Sequence, residues 1–455
     1  MALPASRAAL PADRYALTVE DRQLVDELQA RAVLFFIDHT DSRTGLTRDR
    51  AANRTGPASP EASIAATGFA LSAWCIADAR GWLAPGEALR RTLVTLRFAA
   101  EELEHVKGWF YHFSDAATGR RALMSEVSTI DTALFLKGAL FAREYLRDPQ
   151  VARLVNHLYR RLDWRWAQDG EMTLSMGWRP ETGFIPYRWD SYSELMGLYL
   201  LGIGAPANPL PREAWEAWRR PRATIGGRSY IHCGPLFTHQ YAHAWFDFRG
   251  VRDGHADYWQ NSVDATLAQR AWSAGQRERF PLWSSAAWGL TASDGPQGYM
   301  AWGTPGPGPD ESDGTLVPCA PGGSLPFAPA ECLTALQRMR TLGGDAVWGR
   351  YGFADAFNPH TGWVARDVIG IDVGIMLLMA ENLRTGMVWN HFMRAPEVRR
   401  GMALAGFKAS AGDPRLVVSA AAARVPQKAP SEEWVAHVPT PALARTSTRL
   451  RRGES

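Results

Sequence analysis

The chain has 455 residues, 46% of them hydrophobic, and carries 50 Lys and Arg against 47 Asp and Glu, a formal net charge of +3. Such a composition builds a large buried core and excludes a concentrated basic face for nucleic acid, which needs clustered positive charge; no run of eighteen apolar residues offers a membrane span. Aromatic residues are abundant, with 19 Trp, 18 Phe and 12 Tyr, and they supply flat faces on which rings stack.

Residues 1–18 form an N-terminal extension without an apolar run of signal-peptide length. The expectation is therefore a cytoplasmic protein, or a periplasmic one if the chain as written is trimmed. Helical periodicity begins at Val19–His39, where Leu24, Leu28, Val33, Leu34 and Ile37 recur between charged residues. Similar one-sided helices are predicted at Gly86–His105, Gln150–Trp164, Pro211–Arg220 and Met387–Phe407. Six other segments, Glu61–Trp82, Val127–Leu146, Tyr192–Ile203, Tyr258–Gly275, Pro329–Thr341 and Val368–Leu383, are rich in small residues and apolar around most of their circumference. Helices of that kind are buried. Alternation of the two kinds predicts an all-α (α/α)6 toroid, an inner ring inside an outer one, as one domain over residues 19–407. The long connections are expected to gather at one mouth of the ring. Residues 408–455, with eight basic and four acidic residues and no periodicity, read as a solvated, disordered tail.

Cys75, Cys233, Cys319 and Cys332 are widely spaced and indicate neither a disulfide framework nor a thiolate metal site. A phosphate-binding GxxxxGK[ST] loop, a strand-linked GxGxxG and a GxSxG elbow are all missing from the sequence, so no cofactor is expected.

Two segments carry carboxylates into apolar helices. In Met124–Ala133, Glu126 and Asp131 stand at a helix start among Ser and Thr; capping explains the first acid better than the second. In Tyr187–Gly197, Asp190 and Glu194 lie four apart, and Glu194 beside Leu195 and Met196 suits a general acid whose proton is retained by burial. Trp109 and Tyr111 border the first segment; Trp178 and Tyr187 border the second. A third region, Phe237–Gly250 with Asn261 beyond it, contains His239 and Gln240, read as hydrogen-bonding groups, and Trp245. His239 and His243 at i, i+4 have the spacing of a metal pair, but Gln240 replaces the Glu of HExxH, and metal is not expected.

These segments resemble the glucoamylase-like glycoside hydrolases, related to the family-144 β-1,2-glucanases and to the C-terminal region of cyclic β-1,2-glucan synthases. The resemblance runs from about Arg31 to Phe407. It rests on Gly45–Arg50, Ser63–Gly68, Ser128–Thr132, Tyr192–Glu194, Phe237–Tyr241, Leu290–Gly295, Gly323–Phe327 and Trp348–Phe353. It implies an (α/α)6 barrel with a carboxylate-lined cleft that cleaves glucans, commonly β-1,2-linked, with inversion and without a metal. By position Glu194 resembles a catalytic carboxylate of the β-1,2-glucanases. Asp131 stands where those enzymes often have Glu, and Ser128 where they often have Asp.

The expected catalytic groups are thus Glu194 as acid, with Asp131 first and Glu126 second as its partner. Asp190, Trp109, Tyr111, Trp178, Tyr187, His239, Gln240, Trp245, Asn261, Asp294 and Tyr299 are expected to hold a glucan or oligosaccharide. Nucleic acid and membrane are not expected partners, and oligomeric state is not legible. A transglycosylase, a lyase of the same architecture and a non-catalytic sugar-binding toroid are the competing readings; the near-neutral body disfavours the lyase, which needs a basic cleft.

Overall fold

A computed structural model describes residues 15–304 and 311–410. Within them the helices are α1 (Val19–His39), α2 (Ile64–Ala79), α3 (Glu87–Glu101), α4 (Thr129–Leu146), α5 (Pro149–Arg161), α6 (Trp164–Gln168), α7 (Met196–Ile203), α8 (Tyr258–Gly275), α9 (Cys319–Gly323), α10 (Pro329–Val347), α11 (Gly370–Arg384), α12 (Met387–Phe392) and α13 (Pro396–Leu404). Local chemistry sets several starts. Thr18 caps α1 by accepting from the Asp21 N–H at 3.1 Å, Ser128 caps α4 by accepting from the Asp131 N–H at 3.2 Å, and Asp148 caps α5 just before Pro149.

Four helices are buried nearly all round: α2, α4, α7 and α11. They are neighbours in the order α7, α4, α2, α11, and α11 continues to α9 and then to the short 3-10 turn Leu236–His239. One-sided helices cover this series from outside. Helix α1 lies on α11 and α2, α3 on α2 and α5, α5 on α4, α8 on the 3-10 turn, α10 on α9 and α13 on α7.

The expectation of six all-buried helices needs correction at two of them. Helix α8 buries one side, through residues such as Tyr258, Asn261, Ala265 and Gln269, and α10 likewise through Cys332, Leu336 and Met339. Their Ala and Ser content imitates an inner helix. The central places fall instead to Leu236–Phe246, buried at every position except Phe237, and to α9; Pro235, Pro318, Pro321 and adjacent glycines hide both from a search for helical periodicity. The segment Pro211–Arg220 forms only a 3-10 turn, Arg212–Trp215. The expected tail lies outside the described residues from 411 onward. Among the described residues no helix is long and apolar enough to cross a membrane.

Short antiparallel pairings precede three of the buried helices, the one before α4 being part of a three-stranded sheet. Glu61–Ser63, entering α2, pairs antiparallel with Phe113–Asp115. Val127–Ser128, entering α4, pairs with Gly177–Arg179, and Asp367–Ile369, entering α11, pairs with Arg50–Ala52.

Helices α2 and α4 meet backbone to backbone. A Cβ on Gly138 would lie 1.9 Å from the Gly68 carbonyl oxygen, and one on Gly68 would lie 2.5 Å from Phe135 Cα. Backbone cannot swing aside as a side chain can. Gly138→Ala should therefore lower unfolding free energy by about 3 kcal/mol, read as an earlier urea midpoint at constant slope; an unchanged midpoint would contradict this crossing.

Candidate active site

The first turns of α4 and α11 and the residues leading into α7 face one cavity of about 400 Å³, a size typical of small-molecule sites. Four acids line it: Asp49, Asp131, Glu194 and Asp372. Arg50 and His112 are its cations, and Phe113, Phe237, Tyr241 and Tyr299 add ring surface. Helix N-termini favour negative charge, which explains why Asp131 and Asp372 are tolerated in first turns that are otherwise apolar.

Each acid has a different environment. Asp131 accepts a 2.5 Å hydrogen bond from the Ser128 hydroxyl, and its Oδ2 lies 3.7 Å from His112 Nε2. The His112 ring stacks on Phe113, with centroids 3.9 Å apart, and its Nδ1 donates to Glu126 Oε1 at 3.2 Å. Burial opposes the charged form of His112, but Asp131, Glu126 and Asp49 outweigh it and push its pKa up to about 9. The ring is therefore an imidazolium at neutral pH. The hydrogen bond from His112 draws Glu126 down to about 2, with Arg179 contributing. Glu126 is held in this ion cluster and is not among the cavity's lining residues.

Glu194 behaves oppositely. Burial raises its pKa to about 7, Asp131 adds to the rise, and Lys137 counters it. Asp372 and its neighbour Asp355 are also held above the ordinary carboxylate range, burial being the main cause for both. Asp372 Oδ1 accepts from the Cys319 thiol at 3.3 Å, and Asp355 Oδ2 accepts from the Asp294 N–H at 2.7 Å. The Asp372 and Asp355 carboxyls also share a hydrogen bond with each other, one of them supplying the proton. Arg50 joins the rim together: its Nη1 reaches both Asp294 oxygens at 3.0 and 3.1 Å, and its Nε reaches Asp49 Oδ2 at 3.2 Å.

Of the residues singled out in the sequence, Asp131, Glu194 and Tyr299 line the cavity, while Glu126 and Asp294 stand one contact behind it. The others do not line it. Asp190 is an exposed partner of Arg219 at 3.2 Å, and Tyr187 is 66% exposed. Trp109 is a core ring against Trp164, donating to the Asp163 carbonyl. Trp178 packs on Trp166, and Tyr111 lies under the Arg121 guanidinium. Trp245 is fully buried and donates to Ser72 Oγ. Gln240 donates to the Ala320 carbonyl and Ser324, and Asn261 exchanges hydrogen bonds with the Ile231 backbone. His239 meets Tyr192 Oη and the Cys233 carbonyl, while His243 meets Ser262, so each imidazole is engaged separately. Burial drives both His pKa values down to about 3. Among the described residues no three His, Cys, Asp or Glu side chains group as metal ligands.

Sequence reasoning missed Asp49, Arg50, His112 and Asp372 as site residues. Asp372 carried the same signal as Asp131, an acid in the first turn of an apolar helix.

Residues 186–396 match the family model described as "Putative glucoamylase". Over that span the chain is similar to that family. It is 26% identical over 422 residues to an exo β-1,2-glucooligosaccharide sophorohydrolase (non-reducing end) of Parabacteroides distasonis, covering 84% of this chain but only 57% of that relative's length. Among solved structures it resembles a putative glucoamylase from Bacteroides uniformis, at 28% identity and a TM-score of 0.79, covering 87% of this chain and 99% of the other. It also resembles an endo-β-1,2-glucanase of Chitinophaga pinensis, solved as a complex with sophorotriose and glucose. There the identity is 25% and the TM-score 0.77, with 87% of this chain and 99% of that one covered.

Proposed function

We propose that this glucoamylase-like chain is a glycoside hydrolase cleaving β-1,2-linked glucan or oligosaccharides derived from it. The observation that carries the proposal is one cavity uniting an acid that keeps its proton near neutral pH, Glu194, with further carboxyl groups. Glycoside hydrolysis needs one carboxyl to protonate the leaving oxygen and another to activate water or attack carbon. The β-1,2 linkage is carried over from the named activities of the similar proteins. Residues 19–407 are proposed to form a single (α/α)6 toroid; the order of buried neighbours and the one-sided helices outside them support it.

Glu194 is assigned as the acid and Asp131 as its partner, since Asp131 rests against a cationic His112. A second reading gives water activation to Asp372, which lines the same cavity from the first turn of α11. Asp49, Arg50 and Tyr299 are then left to hold sugar hydroxyls, with Asp294 holding Arg50 from behind.

Incubation with a panel of defined-linkage glucans, with products separated by size, tests the function. The expected result is shortening of β-1,2-glucan alone. Products longer than the substrate would identify a transglycosylase, and binding without turnover a sugar-binding toroid; either outcome overturns the hydrolase reading.

A further inference from the structure

Helix α4 presents Ile130 and Leu134 to the cavity, and the next residue on the same face, at i+7 from Ile130, is Lys137. A lysine at that depth is unusual. It is fully buried, and among the described residues its ammonium makes one hydrogen bond, to the Tyr241 carbonyl at 3.2 Å. The Nζ also lies 4.9 Å from the centre of the Trp245 ring. Opposite stands Gly197, three residues beyond Glu194: a Cβ there would lie 3.2 Å from Nζ and 3.3 Å from Cδ. The chain thus leaves a notch beside the Glu194 turn that the lysine head fills.

Packing does not require a charge there. An apolar side chain of similar volume fills such a space without the cost of desolvating an ammonium. We infer that Lys137 is a positioning residue, a buried counter-ion for the carboxylate that Glu194 becomes when it gives up its proton. The inference rests on the assignment of Glu194 as acid. In the proton transfer the Glu194 O–H bond breaks and an O–H bond forms on the glycosidic oxygen as its bond to the anomeric carbon breaks; the leaving sugar departs as an alcohol, water takes its place on that carbon, and the negative charge left on Glu194 is favoured by the ammonium nearby.

Asp131 and Lys137 act on Glu194 most strongly among the charged groups, and Cys233 and Tyr241 interact with it as well; Asp49, Arg50, His112, Tyr299 and Asp372 line the same cavity. Burial pulls Lys137 down to about 7 while Glu194 and Asp131 work to keep it charged. Each charge of the pair favours the other.

The test is Lys137→Met, which keeps length and volume. The alkaline limb of kcat/KM should move up by about one pH unit, because the acid loses the cation that favours its ionisation. Turnover at neutral pH should fall about tenfold, with the thermal midpoint unchanged or raised. Gly197→Ala, which crowds the ammonium and leaves it in place chemically, should move the limb in the same direction by less. An unmoved limb in a folded Lys137→Met overturns the inference, as does a drop in activity matched by a drop in thermal midpoint. Glu194→Gln separates this failure from that of the underlying reading: if it keeps wild-type turnover, the acid assignment itself falls.

Discussion

Glu194→Gln should leave a folded protein that still binds β-1,2-glucan but turns it over at least about 100-fold more slowly. The amide preserves shape and hydrogen bonding but has no proton to give to a leaving oxygen. A second signature belongs to the pH profile. Because burial holds the wild-type carboxyl near 7, kcat/KM should fall as pH rises through that value, since the acid must be protonated to act. The variant's residual activity should lose this alkaline limb. Turnover near the wild-type level on a natural glucan would refute the role, and a limb that persists in the variant would assign it to another group.

Asp131→Asn and Asp372→Asn, made separately, should differ by more than about tenfold in turnover. With Asp131 as the water-activating partner, its amide is the nearly inactive one, and Asp372→Asn mainly raises KM. The reverse order moves the base to the buried carboxyl on α11. Equal, small losses in both would show that neither is the partner. Product anomers read by NMR in the first minutes of reaction complete this experiment, inversion being expected if water attacks directly.

What the sequence made legible was mostly local. The bounds of α1 could be read from spacing, and so could those of α8, although α8's small residues disguised its exposed side. Glu194 was readable because Leu195 and Met196 announce a low-dielectric setting. Asp131 was readable because an acid inside an apolar helix needs a reason. The aromatic surplus misled, since composition does not say which face a ring presents: Trp109, Trp164 and Trp245 build the core. His239, Gln240 and Asn261 looked like substrate ligands because polar clusters near aromatics look alike whether they serve a ligand or the backbone. Arg50 and Asp294 lie 244 positions apart, and their pairing is a fact of tertiary structure that no local pattern encodes.

The ribbon between Arg50–Ala52 and Asp367–Ile369 closes a loop of more than three hundred residues, and both of its ends supply cavity residues, Arg50 on one side and Ile369 and Asp372 on the other. The site is thus completed by some of the most sequence-distant contacts in the chain, which are costly to close by chance and form late when folding is governed by topology. Refolding followed by catalytic activity should consequently lag refolding followed by helical signal, and a chain nicked or arrested before α11 joins would be rich in helix yet inert. On the proposed function, activity would report on the last stage of assembly.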